Sequence, residues 1–167
     1  MNVDPPPVCN VLFLCTGNSA RSILGEALLN RLGGGRFRAY SAGSQPKGQL
    51  HPLALQVLHD AGLSTDGLRS KAWEDFAAPA APVMDLVITV CDAAANEACP
   101  VWPGRPATAH WGQPDPAAVT GSDAECLAAF ETALQTMQRR IGRLVALPAD
   151  AFANSELAAQ LAAVGRD

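Results

Sequence analysis

Val11-Leu12-Phe13-Leu14-Cys15-Thr16-Gly17-Asn18-Ser19-Ala20-Arg21-Ser22 is the stretch on which the fold turns. Four apolar residues deliver a cysteine, five small or polar residues follow, and then come an arginine and a serine. Beyond them Ile23, Leu24, Ala27, Leu28 and Leu32 line one face of a helix. A strand, a tight loop and a helix N-terminus in this order build an anion site, because uncapped backbone N–H groups and the positive end of the helix dipole point the same way. A cysteine in that field, with an arginine beside it, is expected as a thiolate at neutral pH. Arg21 adds a planar fork of donors that fits a tetrahedral oxyanion. Each part has an ordinary reading alone: a buried small thiol, a surface arginine, a tight turn. Their conjunction points to chemistry.

Outward from this stretch, apolar and periodic segments alternate. Strands are predicted over 10–14, 37–41, 85–90 and 108–111, the third apolar and β-branched like a buried central strand. Helices are predicted over 22–32, from His51-Pro52 to Gly62, and from Asp123 for about six turns to Pro148. Gly33-Gly34-Gly35 ends the first of these, and a short helical turn is expected over 73–76. A last Ala/Leu-rich helix runs to about residue 164, with Asn154-Ser155 as its expected cap. Alternation of this kind implies an α/β fold: one domain, a four-stranded parallel sheet and helices on both faces. Ligands in such folds bind beyond the carboxyl ends of the strands. Cys15, Cys91 and the loop after His110 all fall there. The expected organisation is a tail over 1–9, one domain over 10–147 and a helical extension over 148–167.

Composition narrows the function classes. A chain of 167 residues with 49% apolar and 17% charged residues has the makings of a globular core. A net charge of −4 and the absence of a basic block argue against nucleic acid as a partner. No apolar stretch has the length of a membrane span, and residues 1–9 lack the layout of a signal peptide, so a cytoplasmic location is expected. Five cysteines do not read as a secreted disulfide framework. They read instead as nucleophiles, redox partners or packed thiols, and Cys9 and Cys126 take the last description. No metal site is expected, since Cys91, Cys99 and His110 match no common ligand spacing. His110, beside Trp111, is expected as a packed structural residue. His51 and His59 are expected as capping or surface residues.

At this point the sequence resembles the low-molecular-weight protein tyrosine phosphatase fold, and within it the arsenate reductases. Four anchors carry the resemblance, in order along the chain: 11–19, Tyr40-Ser41-Ala42-Gly43, Asp85-Leu86-Val87-Ile88-Thr89-Val90-Cys91, and His110-Trp111-Gly112 followed by Asp115-Pro116-Ala117. The resemblance implies that Cys15 attacks the arsenic of arsenate. The backbone of Thr16, Gly17, Asn18, Ser19, Ala20 and Arg21, with the Arg21 guanidinium, would hold the oxygens. Phosphate or sulfate would bind as analogues. It implies that Ser22 bonds the Cys15 sulfur, that Asn18 braces the loop, and that Asp115 protonates the departing oxygen. Cys91 would attack the Cys15–arsenic adduct and release arsenite. Cys99 would then draw the oxidation into a Cys91–Cys99 pair, open to an external thiol such as thioredoxin or glutathione with glutaredoxin. No bound cofactor is implied.

Chemistry supports part of this independently. A phosphatase needs one thiolate, a cradle and an acid, whereas a reductase also needs two electrons from thiols. Cys91 and Cys99 supply them. Were 92–98 helical, Cys91 and Cys99 would stand about 12 Å apart, and a disulfide requires Cα atoms within about 7 Å; this segment is therefore expected to loop or unwind when Cys99 reacts. The two thiols are one residue further apart than in thioredoxin-coupled relatives, which leaves the donor open. Lys71 stands where some relatives carry an acidic potassium ligand, while Asn18, Glu26 and Ser41 match other parts of that site; a lysine ammonium there would replace the cation. Ala117-Ala118 stand where tyrosine-specific relatives place aromatics. A phosphatase remains the alternative, because the same cradle binds phosphate and the same thiolate attacks phosphorus. An oxyanion sensor is a third class.

Overall fold

The computed structural model describes residues 8–96, 102–153 and 155–166. Four strands, β1 (Cys9–Cys15), β2 (Phe37–Gly43), β3 (Leu86–Thr89) and β4 (Ala107–His110), form one parallel sheet in the order β2-β1-β3-β4. The chain steps from β1 to one side for β2 and returns to the other side for β3. That reversal opens a crevice at the carboxyl end of β1, where open α/β sheets bind ligands. Cys15 ends β1 and Cys91 follows β3 by two residues, so both thiols fall in the crevice.

Strand alternation divides the core. Val11, Phe13 and Cys15 with Leu86 and Ile88 face one layer, built from α1 (Arg21–Leu32), α4 (Asp123–Val145) and α5 (Leu157–Val164). Leu12, Leu14 and Val87 face the other, covered by Trp73 and Phe76 of a 3-10 turn together with Met84 and Trp102. α2 (Pro52–Asp60) packs on α1 and α4, and α3 (Asp92–Asn96) follows Cys91. Gly25 looks out of place in the middle of α1. A Cβ there would lie 2.9 Å from the Phe13 ring, so the glycine sets how closely α1 approaches β1.

Helix ends follow local chemistry. A capping box opens α4: Ser122 Oγ accepts the Glu125 amide at 3.2 Å, and Glu125 Oε1 accepts the Ser122 amide at 3.4 Å. His51 Nδ1 accepts the Leu53 amide at 3.1 Å and starts α2, as expected of a capping residue. The described start of α5 lies beyond the expected cap at Asn154-Ser155. α5 begins at Leu157 after Glu156, which makes no side-chain cap bond, and Asn154 lies outside the described residues. What fixes α5 is tertiary: Leu157, Leu161 and Val164 are buried, and Leu161 O accepts the Trp111 indole N–H at 2.8 Å. Among the described residues no helix is long and apolar enough to cross a membrane.

Candidate active site

The loop between β1 and α1 closes around the Cys15 sulfur. The Asn18 amide donates to Cys15 Sγ at 3.2 Å, and Ser22 Oγ lies 3.0 Å from it. Asn18 has φ 45°, a left-handed conformation that asparagine tolerates better than most residues. Its buried side chain ties the loop together: Nδ2 donates to Ser22 Oγ at 2.8 Å and Oδ1 accepts the Lys71 amide at 2.8 Å. With the asparagine donating to it, the Ser22 hydroxyl is free to direct its own hydrogen at an ionised Cys15. Ala20, at the N-cap of α1, brings no side-chain acceptor, and the first turn holds no acidic residue. The helix thus opens with amides that no side chain caps, the donors an oxyanion takes.

Two residues outside the loop shape it. Gly43 ends β2 beneath it, where a Cβ would sit 2.4 Å from Thr16 O and 3.0 Å from the Asn18 nitrogen. No larger residue fits. Ser70 Oγ donates to Gly17 O at 3.3 Å. In the sequence Gly43 stands out only as the end of the Tyr40-Ser41-Ala42-Gly43 anchor, without its fit beneath the loop. The signal for Gly43 was its place at a strand end beside the loop; Ser70 carried none.

Arg21, the first residue of α1, leans toward the loop after β4. Its Nη1 donates to Gln113 O at 2.9 Å, and Nη2 lies 3.8 Å from Asp115 Oδ2. Asp115 also accepts the Ala117 amide at 3.0 Å and opens a 3-10 turn over Pro116–Ala118. The expected acid is therefore beside the expected oxyanion arginine, and the same carboxylate starts the turn that follows it. Arg140 of α4 supports the same loop from within, its Nη1 donating to Trp111 O at 3.0 Å and Gly112 O at 3.2 Å. Arg140 went unnoticed in the sequence. Its position three after Met137 and four before Leu144 put it on the buried stripe, and a buried arginine needs partners.

Cys91 completes the site. Cys15 and Cys91 are both buried and close enough that each shifts the other's titration. Cys91 also receives the Ala94 amide at 3.4 Å, so its sulfur caps α3, and Thr16 Oγ1 lies 3.7 Å away. The hydrogen bond from Cys15, the Ala94 amide and Thr16 together draw the Cys91 thiol down to about 5 against the pull of burial. The same bond, followed by burial, holds Cys15 well above the ordinary thiol range, although Ser22 and the Asn18 amide work the other way. The Cys15 charge expected from the loop is therefore one that a second thiol shares. Two thiols in contact titrate as a unit that gives up one proton readily and keeps the second, because two adjacent buried charges repel. The single charge belongs to the pair, held by the Asn18 amide and Ser22 at Cys15 and by the Ala94 amide at Cys91. Cys99 lies outside the described residues.

Beneath the loop, Lys71 Nζ lies 3.4 Å from Glu26 Oε1 and donates to Arg69 O at 2.7 Å, while Ser41 Oγ donates to Glu26 at 2.6 Å. The ammonium and carboxylate are both largely buried. Burial lowers the Lys71 pKa and Glu26 opposes that shift. The remaining candidates separate clearly. Cys9 is pushed up to about 12 by burial and by Asp85, and Cys126 sits partly buried on α4. Trp111 is fully buried, but His110, expected as a packed residue, is not: its ring is 39% exposed and bonded to Asp92 and Thr89. The position at the end of edge strand β4 leaves the ring one open side. Among the described residues, no three His, Cys, Asp or Glu side chains gather as a metal site.

Comparison with known proteins agrees with this geometry. The family described as low molecular weight phosphotyrosine protein phosphatase matches residues 10–158. An arsenate reductase of Bacillus licheniformis is 36% identical over 134 residues, which are 80% of this chain and 92% of the relative. A solved arsenate reductase in its phosphate binding state superposes with TM-score 0.61 at 25% identity, covering 83% of this chain and 98% of the other. A thioredoxin-dependent arsenate reductase of Corynebacterium glutamicum superposes with TM-score 0.57 at 28% identity, covering 84% of this chain and 64% of the other.

Proposed function

This chain belongs to the low molecular weight phosphotyrosine protein phosphatase family, and from that premise we propose that it reduces arsenate to arsenite through its thiols. The observation that carries the reading is the second thiol. Cys91 stands against the oxyanion loop, 3.7 Å from Thr16 Oγ1 and titrating as one with Cys15, and phosphate ester hydrolysis has no use for it there.

The reaction proceeds in three exchanges. The amides of the loop and the Arg21 fork hold the arsenate oxygens while the Cys15 thiol passes its proton to an arsenate oxygen and its sulfur forms a bond to arsenic. Asp115, beside Arg21, protonates the oxygen that leaves as water. The Cys91 thiolate next attacks the Cys15 sulfur. The sulfur–arsenic electron pair departs with arsenic, which leaves as arsenite, and a Cys15–Cys91 disulfide remains. Cys99 attacks Cys91, freeing Cys15 and leaving a Cys91–Cys99 disulfide. An external thiol reductant closes the cycle, either thioredoxin or glutathione with glutaredoxin. Ala117 and Ala118 put no aromatic wall beside Asp115, which favours a small oxyanion over a phenyl ester.

Single turnover of the fully reduced protein with arsenate, without external reductant, tests the reading. The expected result is release of arsenite, loss of two thiols and a Cys91–Cys99 bridge on peptide mapping. If thiols are not lost, glutathione is added to the same tube; arsenite appearing only then means a small-thiol donor. No arsenite in either case, with an aryl phosphate hydrolysed, makes the protein a phosphatase.

A further inference from the structure

His110 ends β4 and Asp92 opens α3, and His110 Nε2 lies 2.8 Å from Asp92 Oδ1. On the other side of the ring, Nδ1 lies 2.7 Å from Thr89 Oγ1, which also stands 3.4 Å from Ala109 O. This chain of contacts suits both protonation states of the ring. A neutral ring donates from Nε2 to the carboxylate and accepts the Thr89 hydroxyl at Nδ1. A protonated ring donates at both ends, and the hydroxyl then turns to Ala109 O. Gly112 leaves room for the pair: a Cβ there would fall 2.6 Å from His110 Nε2 and 2.8 Å from Asp92 Oδ1. The same loop presents Gln113 O to Arg21. Asp92 is bonded in sequence to Cys91, so an imidazole on the sheet edge holds the residue next to the relay thiol.

We propose that His110 is a positioning residue that latches Asp92, and with it the first turn of α3, keeping Cys91 against Cys15 and Thr16 until Cys91 turns toward Cys99. The inference rests on the Cys91–Cys99 relay proposed above. In turning from Cys15 to Cys99 the Cys91 sulfur gives up the Ala94 amide that starts α3, and the Asp92 carboxylate then leaves the ring. The latch therefore belongs to the dithiol state and is absent from the disulfide state. With the Asp92 side chain 89% exposed, its effect on the equilibrium is about two- to fivefold. A contact of that size holds between turnovers and yields in each one.

The test is thiol–disulfide exchange of the whole protein in glutathione buffers. Cys91 and Cys99 each give one electron and one proton to glutathione disulfide, yielding the protein disulfide and two glutathiones. Acid-quenched samples are alkylated and mapped by peptide mass for wild type, Asp92→Asn, His110→Ala and the double variant. The expected result is an exchange constant shifted about two- to fivefold toward the protein disulfide in each single variant, with no further shift in the double variant. Asp92→Asn alters only an exposed side chain, so this arm does not depend on a tolerant fold. Unchanged constants, or shifts that simply add, overturn the latch while leaving the relay intact. A wild-type protein that never forms the 91–99 bridge overturns both, and it does so before any substitution is made.

Discussion

Asn18 Oδ1 accepts the Lys71 backbone amide at 2.8 Å, joining the oxyanion loop to the segment that carries the buried ammonium. One asparagine thus holds the loop in a left-handed turn, anchors it to its neighbour and orients Ser22. Asn18→Ala leaves the Lys71 amide and Ser22 Oγ without this partner. The expected cost is about 3 kcal/mol of stability in urea unfolding, with the rate of adduct formation at Cys15 down about a hundredfold. A rate within a factor of two of wild type would remove Asn18 from the mechanism.

Gly43→Ala tests the close approach of β2 to the loop. The new Cβ starts 2.4 Å from Thr16 O, a backbone atom, so the loop itself has to move. Phosphate affinity, followed by calorimetry as a stand-in for arsenate, is expected to fall about tenfold or more. Undiminished affinity would show that the loop accommodates the methyl elsewhere.

The Lys71–Glu26 pair carries a second expectation. Lys71→Met leaves the Glu26 carboxylate buried without its ammonium, a change expected to cost about 3 kcal/mol. Because the chain supplies this cation itself, wild-type activity and melting temperature should match in potassium and sodium salts at equal ionic strength. A rise in activity confined to potassium would defeat this account.

The shared charge of the two thiols makes stability depend on pH. Cys91 lies near 5 in the folded protein and at its ordinary value of 9.0 when unfolded. Between these values the unfolded chain binds the extra proton, so stability rises with pH from about 5 toward 8 and is lost as pH falls through 5. Above 9 the raised Cys15 reverses the trend, since the unfolded thiol ionises while the folded one does not. Urea unfolding of the reduced protein at several pH values, set against Cys91→Ser, reads this directly. The wild-type advantage should widen from pH 5.5 to 8, and a constant difference would mean that the pair carries no shared charge.

Leu161→Ala addresses the C-terminal helix. Leu161 is fully buried, and its carbonyl takes the Trp111 indole N–H. The expected loss is about 2–4 kcal/mol, with weaker oxyanion binding as well, since Trp111 leads directly into the loop that carries Gln113 and Asp115. Loss of stability with intact binding would confine α5 to a structural role.

Local chemistry made much of this molecule legible. Apolar runs and periodic stripes located all four strands and helices α1, α2, α4 and α5, because burying one face imposes a spacing on sequence. β1 begins one residue earlier than read and continues through Cys15, and β3 is shorter at both ends. The five-residue α3 is too short to leave a period, and the Cys91 sulfur and the sheet edge hold its start. Cys15, Arg21 and Ser22 stood out because a thiol, an arginine and a hydroxyl at a strand–loop–helix junction make chemical sense together.

What the sequence by itself determined was the parallel α/β plan and the cysteine–arginine loop at its crevice. These rest on neighbours along the chain, on turn chemistry and on side-chain period. What only the tertiary structure decided was the state and setting of that chemistry. The proton shared by Cys15 and Cys91 comes from residues 76 positions apart. The room that Gly43 leaves under Thr16, the support of the 110–115 loop by Arg140 and the grip of His110 on Asp92 are likewise made across the sheet. Charge sharing and hydrogen bonding act over a few ångströms of space, and that proximity exists only once the strands have paired.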